Sequence, residues 1–165
     1  MPLDPQVQDT SSDEHHWVGT WSVSPTDCSL FSMQFDHQTL HVIVRTSIGG
    51  ERVRVRLSNR FGTQPLVIGA THVALAGHGA SIKAGRTLTF SGKPSITIPP
   101  GADLVSDAVE LVVPTLGTIA VSFYMPQPGT VTTGNSGALL SLTSPVGDFT
   151  GAVDVPTLSR PPLLP

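Results

Sequence analysis

Ser47-Ile48-Gly49-Gly50-Glu51-Arg52-Val53-Arg54-Val55-Arg56-Leu57-Ser58-Asn59-Arg60-Phe61-Gly62 places three arginines at every second position of an otherwise apolar run. A period of two is the signature of a strand with one buried and one open face. Upstream, Thr39 to Ser47 reads as a second strand, and Gly49-Gly50 supplies a two-residue hairpin turn because glycine tolerates positive φ. That turn predicts a register in which Val44 faces Val55, Thr46 faces Val53 and Arg45 faces Arg54. One face of the predicted hairpin is then Val42, Val44, Val53, Val55 and Leu57. The other carries Ile43, Arg45, Arg52, Arg54 and Arg56, and a slip of one residue would drive the arginines into the core.

The rest of the chain agrees with an all-β reading. Charged residues are only 13% of its 165 residues and aromatics 5%, while Gly (16) and Pro (15) punctuate short runs rich in Val, Ile, Thr and Ser. Such a length suits one domain that buries about two-thirds of its unfolded surface. Strands are expected at Trp17–Ser24, Leu66–Ala76, Thr87–Phe90, Ser95–Ile98, Val109–Val113, Thr118–Met125 and Ala138–Thr143. The expected fold is an antiparallel β-sandwich of about eight to ten strands, with a jelly roll as the first form to consider. Residues 1–16 read as a flexible, acidic lead-in, 17–155 as the sandwich, and 156–165 as a Pro-rich tail or linker stub.

Several function classes are disfavoured. A net charge of -3 argues against nucleic acid as the main partner. One cysteine, Cys28, cannot make an internal disulfide, and no apolar run is long enough for a membrane span. No basic-then-apolar leader opens the chain, so the expectation as written is a cytoplasmic location. Neither a cofactor nor a metal is expected. His37 and His41 stand four apart on extended chain, about 13 Å, too far to share an ion. The histidines are expected to be solvated, Cys28 to be an ordinary thiol, and Gly134-Asn135-Ser136-Gly137 to be a turn. No G-x-S-x-G elbow occurs.

Two features hold more promise. Trp17 and Trp21 share one face of their predicted strand, where they serve either as core or as a stacking platform for sugars; the scarcity of other aromatics favours core. The arginine row is either a solvated outer face or a surface awaiting an anionic partner. Arg45 opposite Arg54 would be mildly repulsive unless Asp107 or Glu110, from a neighbouring strand, offsets it.

A wider set of blocks bears on this choice. Trp17-Val18-Gly19-Thr20-Trp21, Ser24-Pro25, Gln38-Thr39-Leu40, Ile43 to Gly50, Val53 to Gly62 and Pro65-Leu66 follow in order. Leu88 to Gly92, Ile98 to Ala102, Ser106-Asp107 and Gly147-Asp148-Phe149-Thr150-Gly151 come after them. Together they resemble the N-terminal β-sandwich domain that precedes the catalytic domain in a group of bacterial SGNH (GDSL-type) hydrolases, over roughly Trp17 to Val153. The resemblance implies the company of an esterase or lipase, with an ester or carbohydrate-ester substrate, in proteins that are often exported.

It does not carry the catalytic residues over. The family's Gly-Asp-Ser nucleophile block has no counterpart, since Gly147-Asp148 is followed by Phe149, and no Asp-x-x-His block follows it. His41 and the Pro-Pro-Leu-Leu-Pro ending also depart from the family pattern. The expected role is a non-catalytic accessory domain whose partner is an SGNH-type hydrolase domain, in cis or in trans. The alternative is a free-standing carbohydrate-binding module. Arg45, Arg52, Arg54, Arg56, Trp17 and Trp21 are the candidate docking or ligand residues. Self-association as a homo-oligomer is expected where the docking surface lacks its partner.

Overall fold

The computed structural model describes residues 16–31, 33–134 and 140–156. The predicted lead-in up to residue 15, the tail beyond residue 156, and Asn135 to Gly137 of the expected turn therefore lie outside the described residues. So does the start of the last predicted strand, residues 138 and 139.

Among the described residues the chain is all-β and antiparallel. Its strands are β1 (Thr26–Asp27), β2 (Met33–Phe35), β3 (Gln38–Arg45), β4 (Gly50–Val53), β5 (Arg56–Ser58), β6 (Leu66–Ile68), β7 (Thr71–Ala76) and β8 (Ile82–Thr87). They continue with β9 (Ile96–Ile98), β10 (Asp103–Val105), β11 (Val109–Val113), β12 (Thr118–Met125), β13 (Gly129–Val131), β14 (Thr133–Gly134) and β15 (Leu140–Val146). One sheet of five strands runs in the order β15-β3-β12-β7-β8. Facing it are short ladders, chiefly β4 with β11, β5 with β10 and β6 with β9. Fifteen strands exceed the expected eight to ten because short strands form where the sequence shows no alternation (β1, β2, β10, β13 and β14) and because 50–58 and 66–76 are each divided in two. The pairing is that of an antiparallel β-sandwich; it does not by itself identify a jelly roll.

The core between the layers joins Val44, Val73, Ile119 and Val121 of the large sheet to Leu111, Val113, Val53 and Val55 opposite. It continues through Met125 and Leu40 to Ile68, Ile98, Leu57 and Phe35. The predicted apolar face is thus correct, but the predicted hairpin is not. β3 pairs with β12 and β15, so Arg45 lies opposite Thr118 rather than Arg54. β4 pairs with β11, setting Arg52 opposite Glu110. Between them, Thr46 to Gly49 cross from one layer to the other. Val44 and Val55 therefore meet across the core instead of side by side.

The crossover has specific causes. The Thr46 N–H and hydroxyl both donate to Gly117 O, at 2.8 and 3.0 Å, in the β11–β12 turn. Ser47 N–H and Ile48 N–H donate to Thr20 O and Oγ1. Gly49 then passes so close to that turn that an added Cβ would lie 2.6 Å from Val113 O and 2.7 Å from Thr115 N. Close approach, and not positive φ, is what this glycine supplies; Gly50 is already a strand residue.

A similar step separates β6 from β7, which the sequence suggests are one strand. Leu66 and Ile68 face inward before it and Val73 after it, so the inward parity switches at Gly69-Ala70. The expected strands Thr87–Phe90 and Ser95–Ile98 do not pair with each other. Ser91 and Gly92, both at positive φ (52° and 77°), make a tight turn closed by the single Phe90–Lys93 bridge, and Ile96–Ile98 pairs with β6 instead. β8, rich in Gly, Lys and Arg, has no clear strand signature. Trp17 to Ser24, expected to be a strand, joins no ladder among the described residues; its hydrogen bonds there run through Thr20, and Trp21 packs on the core.

The outer face of the large sheet is buried too. Ile43, Ala74, Ile82 and Ala120 form a second apolar layer there. The segment after β15 lies against this face: Phe149 N–H donates to Thr39 Oγ1 (2.9 Å), Gly151 packs on the His72 ring, and Ile82 N–H donates to Val153 O (2.8 Å). Two glycines of the 147–151 block have positive φ, 139° and 77°, which bends the strap onto the sheet.

We predict that Gly49→Ala destabilises the fold by about 1–3 kcal/mol, since backbone atoms must move to admit the methyl group. Gly50→Ala, whose added Cβ meets nothing nearer than Arg52 O at 4.0 Å, should leave the urea midpoint almost unchanged. Equal effects of the two substitutions would contradict the crossover.

Candidate functional site: the tryptophan-capped arginine face

Alternation along 52–57 survives the break between β4 and β5. Val53, Val55 and Leu57 turn inward, and Arg52, Arg54 and Arg56 turn outward. The break itself occurs because the partner chain leaves the ladder at Ser106. Ser106 Oγ accepts from Val55 N–H (3.0 Å), while Ser106 N–H donates to Val55 O (2.8 Å). Arg45 does not join this row. It shares the parity of Ile43, so it sits on the outer face of the large sheet, across the sandwich from the other three. The expected four-arginine face is therefore three arginines on one side and one on the other.

The two tryptophans also part company. Trp21 is half-buried against the main core, as expected for both. Trp17 remains 42% exposed and lies over the arginines, with the Arg54 guanidinium carbon 4.4 Å from its ring centroid and that of Arg52 at 6.0 Å. Such a contact is worth about 0.5–1 kcal/mol at an exposed site. It also holds the two guanidiniums in place. Arg52 Nε is 2.9 Å from Glu110 Oε1, an ion pair whose angle does not make an aligned hydrogen bond. The Glu110 side chain is 72% exposed, so the pair adds at most about 1 kcal/mol.

Asp107, the other carboxylate expected to offset the row, is engaged elsewhere. It accepts from the Thr89 hydroxyl (2.6 Å), Gly92 N–H (2.8 Å) and Ser91 N–H (3.1 Å). The Thr89 and Gly92 bonds chiefly hold its carboxyl below the usual carboxylate range, with a smaller contribution from Arg54. Its first role is to fasten the Ser91-Gly92 turn. Arg45 and Arg56 make no salt bridge among the described residues.

Beside Trp17 is an open cleft of about 340 Å³, walled by Thr20, Thr46, Ile48, Gly50, Arg52 and Val113. Trp17, Val18 and Ile48 leave apolar surface at its rim, being 42%, 60% and 46% exposed. Apart from Trp17 and Arg52, these cleft residues escaped the sequence reading because the crossover that assembles them is not a local pattern.

A second polar constellation departs from expectation. His41, Ser122 and His72 are direct neighbours across β3, β12 and β7, and all three point to the outer face of the large sheet. His41 is fully buried and its Nδ1 is 2.7 Å from Ser122 Oγ, itself 1% exposed. The expected solvated His41 is thus a core residue; the strap and neighbouring strands exclude water from it. Its parity with Ile43 was the available clue. Burial lowers the pKa of both His41 and His72, and for His72 the nearby Arg86 adds to the effect. The Ser122–His41 pair has the chemistry of a nucleophile and a base, but solvent does not reach it. Cys28 is half-buried against Gly134, and no group of three or more His, Cys, Asp or Glu is placed to hold a metal among the described residues. No helix there is long and apolar enough to cross a membrane. Comparison with known protein families and with curated proteins finds no match for this chain.

Because His41 and His72 have folded pKa values below the ordinary value of about 6.5, the unfolded chain binds more protons just below that pH. Their contribution is complete above about pH 6.5 and is lost as the pH falls towards their folded values. The urea midpoint should therefore drop between pH 7.5 and 5.5, and drop less in His72→Asn. A midpoint that stays flat over this range would contradict the buried, neutral histidines.

Proposed function

We propose that this chain is a non-catalytic accessory module of an SGNH-type ester hydrolase, working through the Trp17–Arg52–Arg54 face. The resemblance in sequence supplies the context. The observation that carries the reading is Trp17, a large aromatic left 42% exposed and stacked on a guanidinium at the mouth of a cleft. Tryptophan and arginine are the residues that dominate contact energies when a partner covers them. An outer sheet face that only needed solubility would have no use for an indole there.

The face suits two related tasks, docking against the hydrolase domain and holding its substrate near the entrance. A free-standing carbohydrate-binding role is the second reading, favoured by the same exposed ring, since a flat aromatic stacks well on a sugar. Catalysis by this chain is the reading set aside. The Ser–His side-chain hydrogen bond, between Ser122 and His41, is sealed beneath the strap.

Two measurements test this. The chain alone should leave p-nitrophenyl acetate hydrolysis at the buffer rate; turnover that Ser122→Ala abolishes would overturn the accessory role. Titrated with a separately produced SGNH-type catalytic domain, it should associate in sedimentation experiments, and Trp17→Ala with Arg54→Glu should weaken that association at least tenfold. Association that both substitutions leave untouched would remove this face from the account.

A further inference from the structure

We infer that the cleft beside Trp17 takes an acidic saccharide, with a sugar ring against the indole and its carboxylate received by Arg52 and Arg54. This deepens the reading of the Trp17 face as a contact surface, and rests on it.

The first ground is unspent hydrogen-bonding capacity. A guanidinium offers five N–H donors in a fixed plane that matches a carboxylate in two-point fashion. Arg54 makes no side-chain hydrogen bond among the described residues, and Arg52 has only the misaligned approach of Glu110 to its Nε. That Nε is buried. The Arg54 guanidinium carbon lies 4.4 Å from the Trp17 ring centroid, a contact that uses none of its N–H donors in a hydrogen bond. Glu110 is 72% exposed and can turn into solvent when a ligand carboxylate takes its place.

The second ground is shape. A volume of about 340 Å³ is at the lower end of small-ligand sites, enough for one or two sugar rings. The wall offers apolar surface from Ile48 and a cation from Arg52. Glu51, which also lines it, is exposed and turns its carboxylate to solvent when an anionic ligand enters, and Arg54 reaches the ligand from beside the indole rather than from the wall. The third ground is charge. Two guanidiniums gathered at one indole suit a single carboxylate, whereas a net charge of -3 does not suit a long polyanion. A neutral sugar would use the indole and leave both cations without a task.

The test is calorimetric titration of the whole chain with trigalacturonate and, separately, with a neutral galactose trisaccharide, with tryptophan emission followed in parallel. The acidic trisaccharide should bind one to one, at least about tenfold tighter than the neutral one, and perturb the emission. Arg52→Gln and Arg54→Gln should each weaken it by about tenfold or more, the usual effect of losing a charged hydrogen-bond donor. Arg45→Gln, on the opposite face, should not. Where an arginine variant fails to fold, a salt series on the unaltered chain gives the same answer: affinity for the acidic ligand should fall with ionic strength while that for the neutral one holds.

Equal binding of the two trisaccharides, or acidic binding indifferent to Arg52, Arg54 and salt, would overturn the carboxylate assignment while retaining a sugar face. Absence of binding by both would overturn the inference altogether. The accessory role would then stand or fall separately, on association with the catalytic domain.

Discussion

Thr46 is 1% exposed and gives both its N–H and its hydroxyl to one carbonyl, that of Gly117. This pair of bonds, followed by the tight passage of Gly49 over Val113 and Thr115, is the constraint on which the rest of the structure depends. It stops β3 from turning back on itself and sends the chain to the opposite layer. Valines that would have lined one side of a hairpin become the two walls of the core. The arginines interleaved with them are consequently displayed on the outer surface of the second layer, within reach of Trp17.

The same crossover explains why β3 can carry residues buried on both sides. With β12 and β15 as its neighbours, it is interior to the large sheet, and the strap from Gly147 to Val155 lies against that sheet's outer face. A polar row, His41–Ser122–His72, is enclosed there along with Ile43 and Ala74. Burying it costs hydrogen-bonding opportunity, visible in His41 Nε2 and His72 Nδ1, which have no partner among the described residues. The row stays neutral, and its sensitivity to acid is a consequence of the strap. The histidine row on the outer face of one layer is thus covered by its own chain, whereas the outer face of the other is only partly capped, by Trp17. This asymmetry is why the arginine face, rather than the histidine row, is the candidate for contact with other molecules.

Much of this was legible in the residues. Period-two alternation identified β11 and β12 and the inward and outward sets along 52–57, because side-chain direction on a strand depends only on parity. It could not identify partners. Gly49-Gly50 has the composition of a hairpin turn, yet its role is close packing, which only the distant Pro114–Gly117 turn makes necessary. Likewise Leu66–Ala76 alternates well enough to resemble one strand, but the parity switch at Gly69-Ala70 is a tertiary event. For the candidate site, the sequence named Arg52 and Arg54 on one face, but it favoured a core role for Trp17, which is 42% exposed, and it misplaced Arg45 through the hairpin error. His41 was misread because burial from the outer side comes from a strap a hundred residues later. The cleft residues Thr20, Ile48 and Val113 had no signal at all, being brought together by the crossover.

The central claim is that the chain leaves β3 for the other layer, which separates Arg45 from Arg54. Antiparallel neighbours have Cα atoms about 4.5–5.5 Å apart, close enough for a disulfide, whereas residues on opposite outer faces of a sandwich are far beyond its reach. In a Cys28→Ser background, Arg45→Cys with Thr118→Cys should cross-link under mild oxidation, and Arg45→Cys with Arg54→Cys should not. Ready oxidation of the second pair and failure of the first would restore the hairpin and contradict the account.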